Sequence, residues 1–190
     1  DVTEPESGYA RLTIPGEGFA GEVGAPELPT ITRLVRVPFG AEIEVTGQGD
    51  FVTLPVATFS GTDRLAPVQP SIPKLPGAVE AARFVVDANA YRNATPVFDS
   101  AAASVDEGVL RAYRFVTLQI RPVNYQPAEG LVEVATDLTV TIRFHHPDWT
   151  ETARQIDRYA EPRTYAMAQA LMVNFNSFGD AKAARFAPSS

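Results

Sequence analysis

The segment from Tyr113 to Phe144 constrains the fold of this chain more than any other part of the sequence. It contains two strand-like runs on either side of residues 122–130, a turn-forming stretch with two prolines and a glycine. In the second run apolar positions alternate with polar ones. The apolar positions are Val132, Val134, Leu138, Val140, Ile142 and Phe144, and the polar ones are Glu133, Asp137, Thr139, Thr141 and Arg143. Successive side chains of a strand point to opposite faces, so this alternation predicts a half-buried antiparallel strand within a long β-hairpin.

The composition agrees with a folded, β-rich domain. The 190 residues are 45% hydrophobic and include 16 prolines and 13 glycines, which favours many short strands and turns. We predict a mainly β fold, an antiparallel β-sandwich with proline-rich loops and a short C-terminal helix. The predicted divisions are a loose N-terminal segment (1–8), the sandwich (9–160), a C-terminal helical segment (161–175) and a flexible tail (176–190).

Charge and residue usage exclude several classes of function. A formal net charge of −7 without a basic cluster argues against nucleic acid as a partner. The absence of cysteine excludes disulfides, thiolate metal sites and a cysteine nucleophile in this sequence. No apolar run is long enough to span a membrane, and the start at Asp1 suits a mature or trimmed N-terminus. His145 and His146 are adjacent at a predicted strand end and face opposite ways, so we expect no metal or other cofactor.

One lysine stands apart from the other charged residues. Lys74 lies in the stretch from Ser71 to Gly77, where Pro73 and Pro76 stiffen the backbone on both sides. A stiff loop loses little conformational entropy when it docks into a pocket, which is how substrate-like inhibitors bind. The alternative interpretation is an ordinary solvated lysine in a connecting loop.

Three motifs resemble one family in order and spacing. Residues 24–29, Gly-Ala-Pro-Glu-Leu-Pro, resemble the opening of gingipain-type prodomains, the propeptides of secreted caspase-like bacterial cysteine proteases. The turn at residues 121–127 resembles the family's Pro-x-x-Tyr-Asn-Pro turn, with Asn and Gln in altered places. Residues 171–175, Leu-Met-Val-Asn-Phe, resemble the apolar-Asn-aromatic segment that precedes the protease domain.

The resemblance implies a non-catalytic prodomain that assists folding of its own cysteine protease and keeps it latent until cleavage. In that family a basic side chain from a prodomain loop enters the specificity pocket. Counted back from Tyr91, the loop is Pro73, Lys74, Leu75 and Pro76, with Lys74 as the basic residue and Arg64 as the fallback. Lys182 and Arg185 in the tail are candidate processing sites. The resemblance also implies a secreted, periplasmic or cell-surface location in a bacterium.

Two other functions remain open on the sequence. A secreted adhesion or carbohydrate-binding β-sandwich is the first alternative, and it needs an exposed aromatic platform for which Trp149 is the single tryptophan. A standalone enzyme is the second, and the sparse inventory of catalytic residues argues against it.

Overall fold

The structure is a computed structural model that describes residues 1–75, 78 and 82–178. Within these residues it contains nine strands and three α-helices. The strands are β1 (Val2–Glu6), β2 (Tyr9–Leu12), β3 (Gly18–Ala20), β4 (Leu28–Arg36), β5 (Glu42–Pro55), β6 (Ala102–Leu110), β7 (Tyr113–Ile120), β8 (Val123–Gln126) and β9 (Leu131–His145). The helices are α1 (Ala57–Ser60), α2 (Trp149–Tyr159) and α3 (Pro162–Leu171). The prediction of a mainly β fold with a helical C-terminal part is confirmed.

The strands form three sheets. One has two strands, β1-β2, one has the order β3-β4-β7-β6, and one has the order β5-β9-β8. The pairs β1-β2, β3-β4, β6-β7 and β8-β9 are antiparallel. Within the described residues no helix is both long and apolar enough to cross a bilayer.

The predicted hairpin of residues 113–144 is wrong in its pairing. Strand β7 pairs with β6 along its whole length, from Ala102↔Ile120 to Leu110↔Tyr113. The hairpin partner of β9 is β8, which begins directly after Pro122. Proline has no backbone N–H and therefore interrupts a ladder, so the chain leaves one sheet at this point and enters another. Strand β6 carries little apolar alternation, with Val105 and Val109 both exposed, and the sequence did not predict it.

The N-terminal segment, predicted to be loose, contains strand β1. Val2 pairs with Leu12 and Glu6 with Tyr9, and the Asp1 amino group donates a hydrogen bond of 2.9 Å to the Thr13 carbonyl. Every residue of β1 is exposed. Backbone pairing without burial leaves no hydrophobic pattern, which explains why the sequence gives no sign of this strand.

The chain divides into two compact units. Unit 1 comprises residues 1–31, 48–101 and 121–139, and unit 2 comprises residues 32–47, 102–120 and 140–190. The core of unit 1 is one cluster of buried residues: Ala10, Leu28, Val56, Leu65, Val123, Tyr125 and Val132.

Unit 2 contains two buried clusters. In the first, Val35, Val37, Val116 and Leu118 pack against the apolar positions of β9 that the alternation identified, Val140, Ile142 and Phe144. In the second, helices α2 and α3 pack with β7 through Ala112, Tyr113, Ile156, Tyr165, Ala168, Met172 and Phe175. The alternation of β9 therefore identifies correctly the half-buried face that packs against this cluster.

Local sequence determines where α2 begins. Asp148 is the N-cap, and its side chain accepts a 2.7 Å hydrogen bond from the Glu151 backbone N–H. Thr152 donates its hydroxyl to the Asp148 carbonyl and accepts a hydrogen bond from the Phe39 N–H at 2.9 Å. Such caps satisfy helix N–H groups that lack an intrahelical partner.

Candidate functional site

Three of the predicted inhibitory residues, Pro73, Lys74 and Leu75, lie in the segment of unit 1 between Gln69 and Val85, here called the proline loop. The structure describes residues 70–75, 78 and 82–84 of this segment. Its two ends are joined by the side-chain amide of Gln69. The amide nitrogen donates to the Val85 carbonyl at 3.0 Å, and the amide oxygen accepts from the Val85 N–H at 2.9 Å. A primary amide can act as donor and acceptor together, so this pair resembles one rung of a β-ladder.

Lys74 is at the centre of a tight turn in this loop. The Leu75 N–H donates to the Pro73 carbonyl at 2.8 Å, a three-residue turn that makes Lys74 its central residue. Lys74 is exposed, and Leu75 is 68% exposed. The Ala78 N–H donates to the Leu75 carbonyl at 3.2 Å and continues the turn. The structure thus brings Pro73, Lys74 and Leu75 together, whereas Pro76 lies outside the described residues.

The Gly-Ala-Pro-Glu-Leu-Pro motif holds both stems of the proline loop. The Gly24 N–H donates to the Val68 carbonyl at 2.8 Å, and the Asp87 N–H donates to the Gly24 carbonyl at 2.9 Å. Gly24 has φ of +87°, and a Cβ at this position would come within 2.9 Å of the Asp87 nitrogen. The glycine is required because the backbone is left-handed here and the second stem passes so close to it.

Aromatic rings brace the end of the loop. The ring of Phe84 lies 5.3 Å from that of Tyr9, which in turn lies 6.1 Å from that of Tyr91. The Tyr91 hydroxyl donates to the Leu65 carbonyl at 2.5 Å. Burial, together with the nearby Tyr125 hydroxyl, raises the pKa of Tyr91 well above its usual range. Tyr91 therefore stays a neutral hydrogen-bond donor at any physiological pH.

A groove lies along the inner side of the proline loop. Its volume is about 570 Å³, and its lining includes Glu6, Gln69, Ile72, Pro73, Arg83 and Phe84. Ile72, Pro73 and Phe84 give the groove apolar walls, and Glu6 and Arg83 contribute one negative and one positive charge. The prediction from sequence missed Gln69, Arg83 and Phe84 in this region, because their relation to Lys74 depends on how the two stems meet.

The fallback residue Arg64 lies outside the proline loop. Its carbonyl accepts a hydrogen bond of 2.8 Å from the Ala10 N–H, so its backbone is part of the core pairing of unit 1. Its guanidinium Nε is 4.0 Å from the Asp63 carboxylate, and the side chain is 58% exposed. The candidate processing residues Lys182 and Arg185 lie outside the described residues.

The histidine pair lies on unit 2. His145 Nε2 is 2.6 Å from a carboxylate oxygen of Glu44, and His146 has a positive φ of 53°. In the part of the chain that the structure describes, no group of three His, Asp or Glu side chains forms a metal site. Trp149, the residue considered for an aromatic platform, packs its ring 5.7 Å from that of Phe178.

The Leu-Met-Val-Asn-Phe motif of unit 2 contacts the end of strand β4 at Arg36. The Asn174 side chain accepts from the Arg36 N–H at 2.7 Å and donates to the Arg36 carbonyl at 2.9 Å. The Arg36 guanidinium is buried against the rings of Tyr113, Phe175 and Phe178, with centroid distances of 5.1, 5.1 and 4.5 Å. The Asn174 amide and the Phe175 ring of the motif thus hold one buried arginine by its backbone and its side chain.

Fold and site together define a β-rich domain in which a braced loop presents two exposed cations, Lys74 and Arg83. The Propeptide_C25 family model matches residues 1–163, and the chain belongs to this family. The prediction of a propeptide rather than a catalytic domain is thereby confirmed, as is the resemblance on which it depended.

Curated relatives come from one bacterial species. Lys-gingipain of Porphyromonas gingivalis strain ATCC 33277 is 30% identical over 154 residues, which are 81% of this chain and 9% of the relative. Lys-gingipain HG66 from Porphyromonas gingivalis is 29% identical over the same length. The chain thus spans only 9% of the length of the curated relatives it matches.

Two solved structures are similar to the chain. The first is described as structural insight into zymogenic latency of gingipain K from Porphyromonas gingivalis. It is 28% identical with a TM-score of 0.65, and the match covers 76% of this chain and 80% of the other. The second is the complex of Porphyromonas gingivalis RgpB pro- and mature domains. It is 15% identical with a TM-score of 0.67, and the match covers 85% of this chain and 77% of the other. At this identity the similarity shows the fold alone.

Proposed function

We propose that this chain is the inhibitory and folding-assisting prodomain of a gingipain-type cysteine protease. It binds the catalytic domain of its own protease, keeps that domain latent and is released by proteolytic cleavage. Membership of the Propeptide_C25 family carries this proposal, and a related solved structure concerns the zymogenic latency of gingipain K. The location that follows is outside the cytoplasm of a bacterium, secreted, periplasmic or on the cell surface.

Lys74 is the residue that blocks the protease in this proposal, by entering its specificity pocket. It is exposed at the centre of a turn, and the loop around it is closed by Gln69 and Val85. A preformed loop loses less entropy on binding than a flexible one. The pocket must supply a carboxylate, since a buried ammonium without a partner is unfavourable by several kcal/mol.

Lysine and arginine differ in the geometry of their donors and are not interchangeable in such a pocket. A lysine at position 74 therefore indicates a protease that prefers lysine. The curated relatives are named Lys-gingipains, which supports the same preference.

The turn at Lys74 offers a reason why a bound loop would resist cleavage. The bond that the protease would cut joins Lys74 to Leu75, and its nitrogen is the one that donates to the Pro73 carbonyl. Proteolysis needs the reacting carbonyl and the leaving nitrogen in a near-attack geometry. The turn must open before that geometry forms, and Pro73 restricts the backbone next to it.

The test is to titrate the purified chain against its mature protease, with wild type beside Lys74→Ala. We expect the inhibition constant to rise about 30-fold or more, because truncating one partner of a buried charge pair costs ~2–5 kcal/mol. Arg64→Ala and Arg83→Ala are the matched controls, and each should leave the constant within about threefold of wild type. Unchanged inhibition by Lys74→Ala would refute the role of Lys74. A loss confined to Arg64→Ala would transfer that role to Arg64.

Release of the prodomain requires cleavage after it. We propose the bond between Lys182 and Ala183 as the processing site, with the bond after Arg185 as the alternative. Both lie among small residues, and exposed segments of this composition are preferred sites of proteolysis. A lysine-preferring enzyme that processes itself would cut after Lys182.

A further inference from the structure

The amide of Gln69 contacts the backbone on both sides of the proline loop. In addition to the pair with Val85, its nitrogen lies 3.1 Å from the Pro67 carbonyl and 3.4 Å from the Val68 carbonyl. Gln69 and Val85 are both partly buried. One side chain therefore holds the backbone on the entering and the leaving side of the loop.

The hydrogen bonds of Gly24 also connect the two stems, but indirectly. Val68 and Asp87 each bond to Gly24, so the segment around Gly24 lies between them. The Gln69 amide instead reaches across to Val85 directly, at a sequence distance of 16 residues. Without this bridge, the bonds to Gly24 would hold the stems at Val68 and Asp87, and the free segment would lengthen at both ends.

We propose that Gln69 is the positioning residue of the inhibitory loop: its amide closes the proline loop and thereby presents Lys74 in one arrangement. The effect on inhibition rests on the proposed function of Lys74. The effect on the loop itself depends only on the contacts of Gln69. A longer, looser loop samples more conformations and must lose more entropy when it binds.

The first experiment measures loop opening in the isolated chain with trypsin, a protease unrelated to the proposed partner. Mass spectrometry follows the rate of cleavage after Lys74. We expect Gln69→Ala to raise this rate about tenfold, because the two hydrogen bonds that cross to Val85 are lost and cleavage follows the population of the open loop. Cleavage after Arg143, in strand β9, provides an internal reference and should not change.

Two further variants separate the amide from the size of the side chain. Gln69→Glu keeps the size and one acceptor, but it places a carboxylate oxygen against the carbonyls of Pro67 and Val85. It should raise cleavage after Lys74 about as much as Gln69→Ala. Gln48→Ala, which alters an exposed glutamine on β5, should match wild type.

The second experiment measures inhibition of the mature protease by the same variants. Gln69→Ala should weaken inhibition about tenfold when Lys74 is present and have no further effect in the Lys74→Ala background, as expected for two residues that act as one unit. Faster trypsin cleavage with inhibition insensitive to Lys74→Ala would refute the role of Lys74 and still support Gln69 as the residue that positions the loop. An unchanged rate after Lys74 in Gln69→Ala, or an equal rise after Arg143, would overturn the proposal for Gln69.

Discussion

The buried phenol of Tyr125 in unit 1 shows how a single residue contributes to the response of this protein to pH. Tyr125 is fully buried and donates its hydroxyl to the Asp63 carbonyl at 2.8 Å. Burial is the main reason why the pKa of Tyr125 rises from 10.0 to about 12. Desolvation disfavours the phenolate, so the folded chain holds this proton more tightly than the unfolded chain does.

The consequence is a loss of stability in alkali. Below about pH 10 both states keep the proton, and Tyr125 adds no pH dependence. Above it the unfolded state releases the proton first, so the free energy of unfolding falls as the pH rises toward about 12, by ~1.4 kcal/mol per pH unit and group. Tyr125→Phe should flatten this fall by about that slope, measured by urea unfolding between about pH 8 and about pH 11.

The matched control is Tyr159→Phe, since Tyr159 is 42% exposed. It should retain the wild-type slope. The Tyr125→Phe chain also loses the hydrogen bond to Asp63 and should be less stable by ~1 kcal/mol near neutral pH. Equal slopes for wild type and Tyr125→Phe would contradict the assignment of the alkaline loss to this phenol.

At the scale of structural elements, both units use a side-chain amide where a strand partner would otherwise pair. Gln69 bridges to Val85 in unit 1, and Asn174 bridges to Arg36 in unit 2. In each case one amide satisfies a backbone N–H and a carbonyl together. The Asn174 bridge is supported by the neighbouring bond from the Val173 N–H to the Leu34 carbonyl at 3.0 Å.

Removal of the Asn174 amide should destabilise unit 2. Asn174→Ala leaves the N–H and the carbonyl of the buried Arg36 without this partner, and we expect a loss of ~2–3 kcal/mol in the free energy of unfolding. Urea unfolding followed by circular dichroism measures it. Asn176→Ala, at an exposed position two residues later, should change the free energy by less than ~0.5 kcal/mol. A loss of similar size in both variants would show that the bridge to Arg36 is not the cause.

At the scale of the whole molecule, the proposed function requires a prodomain that is both a stable inhibitor and a removable one. In the proposed function the loop with Lys74 and the site of cleavage are separate parts of the chain. The proline loop is braced by side chains of unit 1, whereas the proposal assigns processing to the small-residue tail. This separation would let the protease be inhibited at one place and released by cleavage at another.

Processing gives a prediction at this scale. When the longer zymogen matures, N-terminal sequencing of the protease should find a start at Ala183, and Lys182→Ala should slow maturation or move the start to the bond after Arg185. Arg185→Ala is the control and should leave the start at Ala183. A start well beyond Ser190 in the wild-type protein would exclude both bonds as the final processing site.

The relation between sequence and structure differs between β9 and β6. The alternation of Val140, Ile142 and Phe144 predicted a half-buried face. On a strand every second side chain points to the same face, so apolar residues recur at every second position of the sequence. Strand β6 is mostly exposed and carries no such period. Its pairing with β7 depends on backbone hydrogen bonds, which every residue type except proline can donate.

The sequence offers a candidate for the site but no test of it. Lys74 could be proposed because a basic residue between prolines is visible locally and because the motifs of residues 24–29, 121–127 and 171–175 indicate the family, and its role stays a prediction. The turn at Lys74 and the role of Gln69 were not predicted. They depend on the contact between Gln69 and Val85, which are 16 residues apart. No pattern of neighbouring residues in the sequence predicts that contact.

The sequence by itself determined the fold class, the family and the loop that carries Lys74, since each depends on residue types at short spacing. The tertiary structure alone decided that β8 rather than β7 is the hairpin partner of β9, that β1 is paired, and that amides close the loops. Gln69 meets Val85 across 16 residues, and Asn174 meets Arg36 across 138. Contacts at such separations depend on the path of the folded backbone, because a side-chain amide can pair with any N–H and carbonyl brought within its reach.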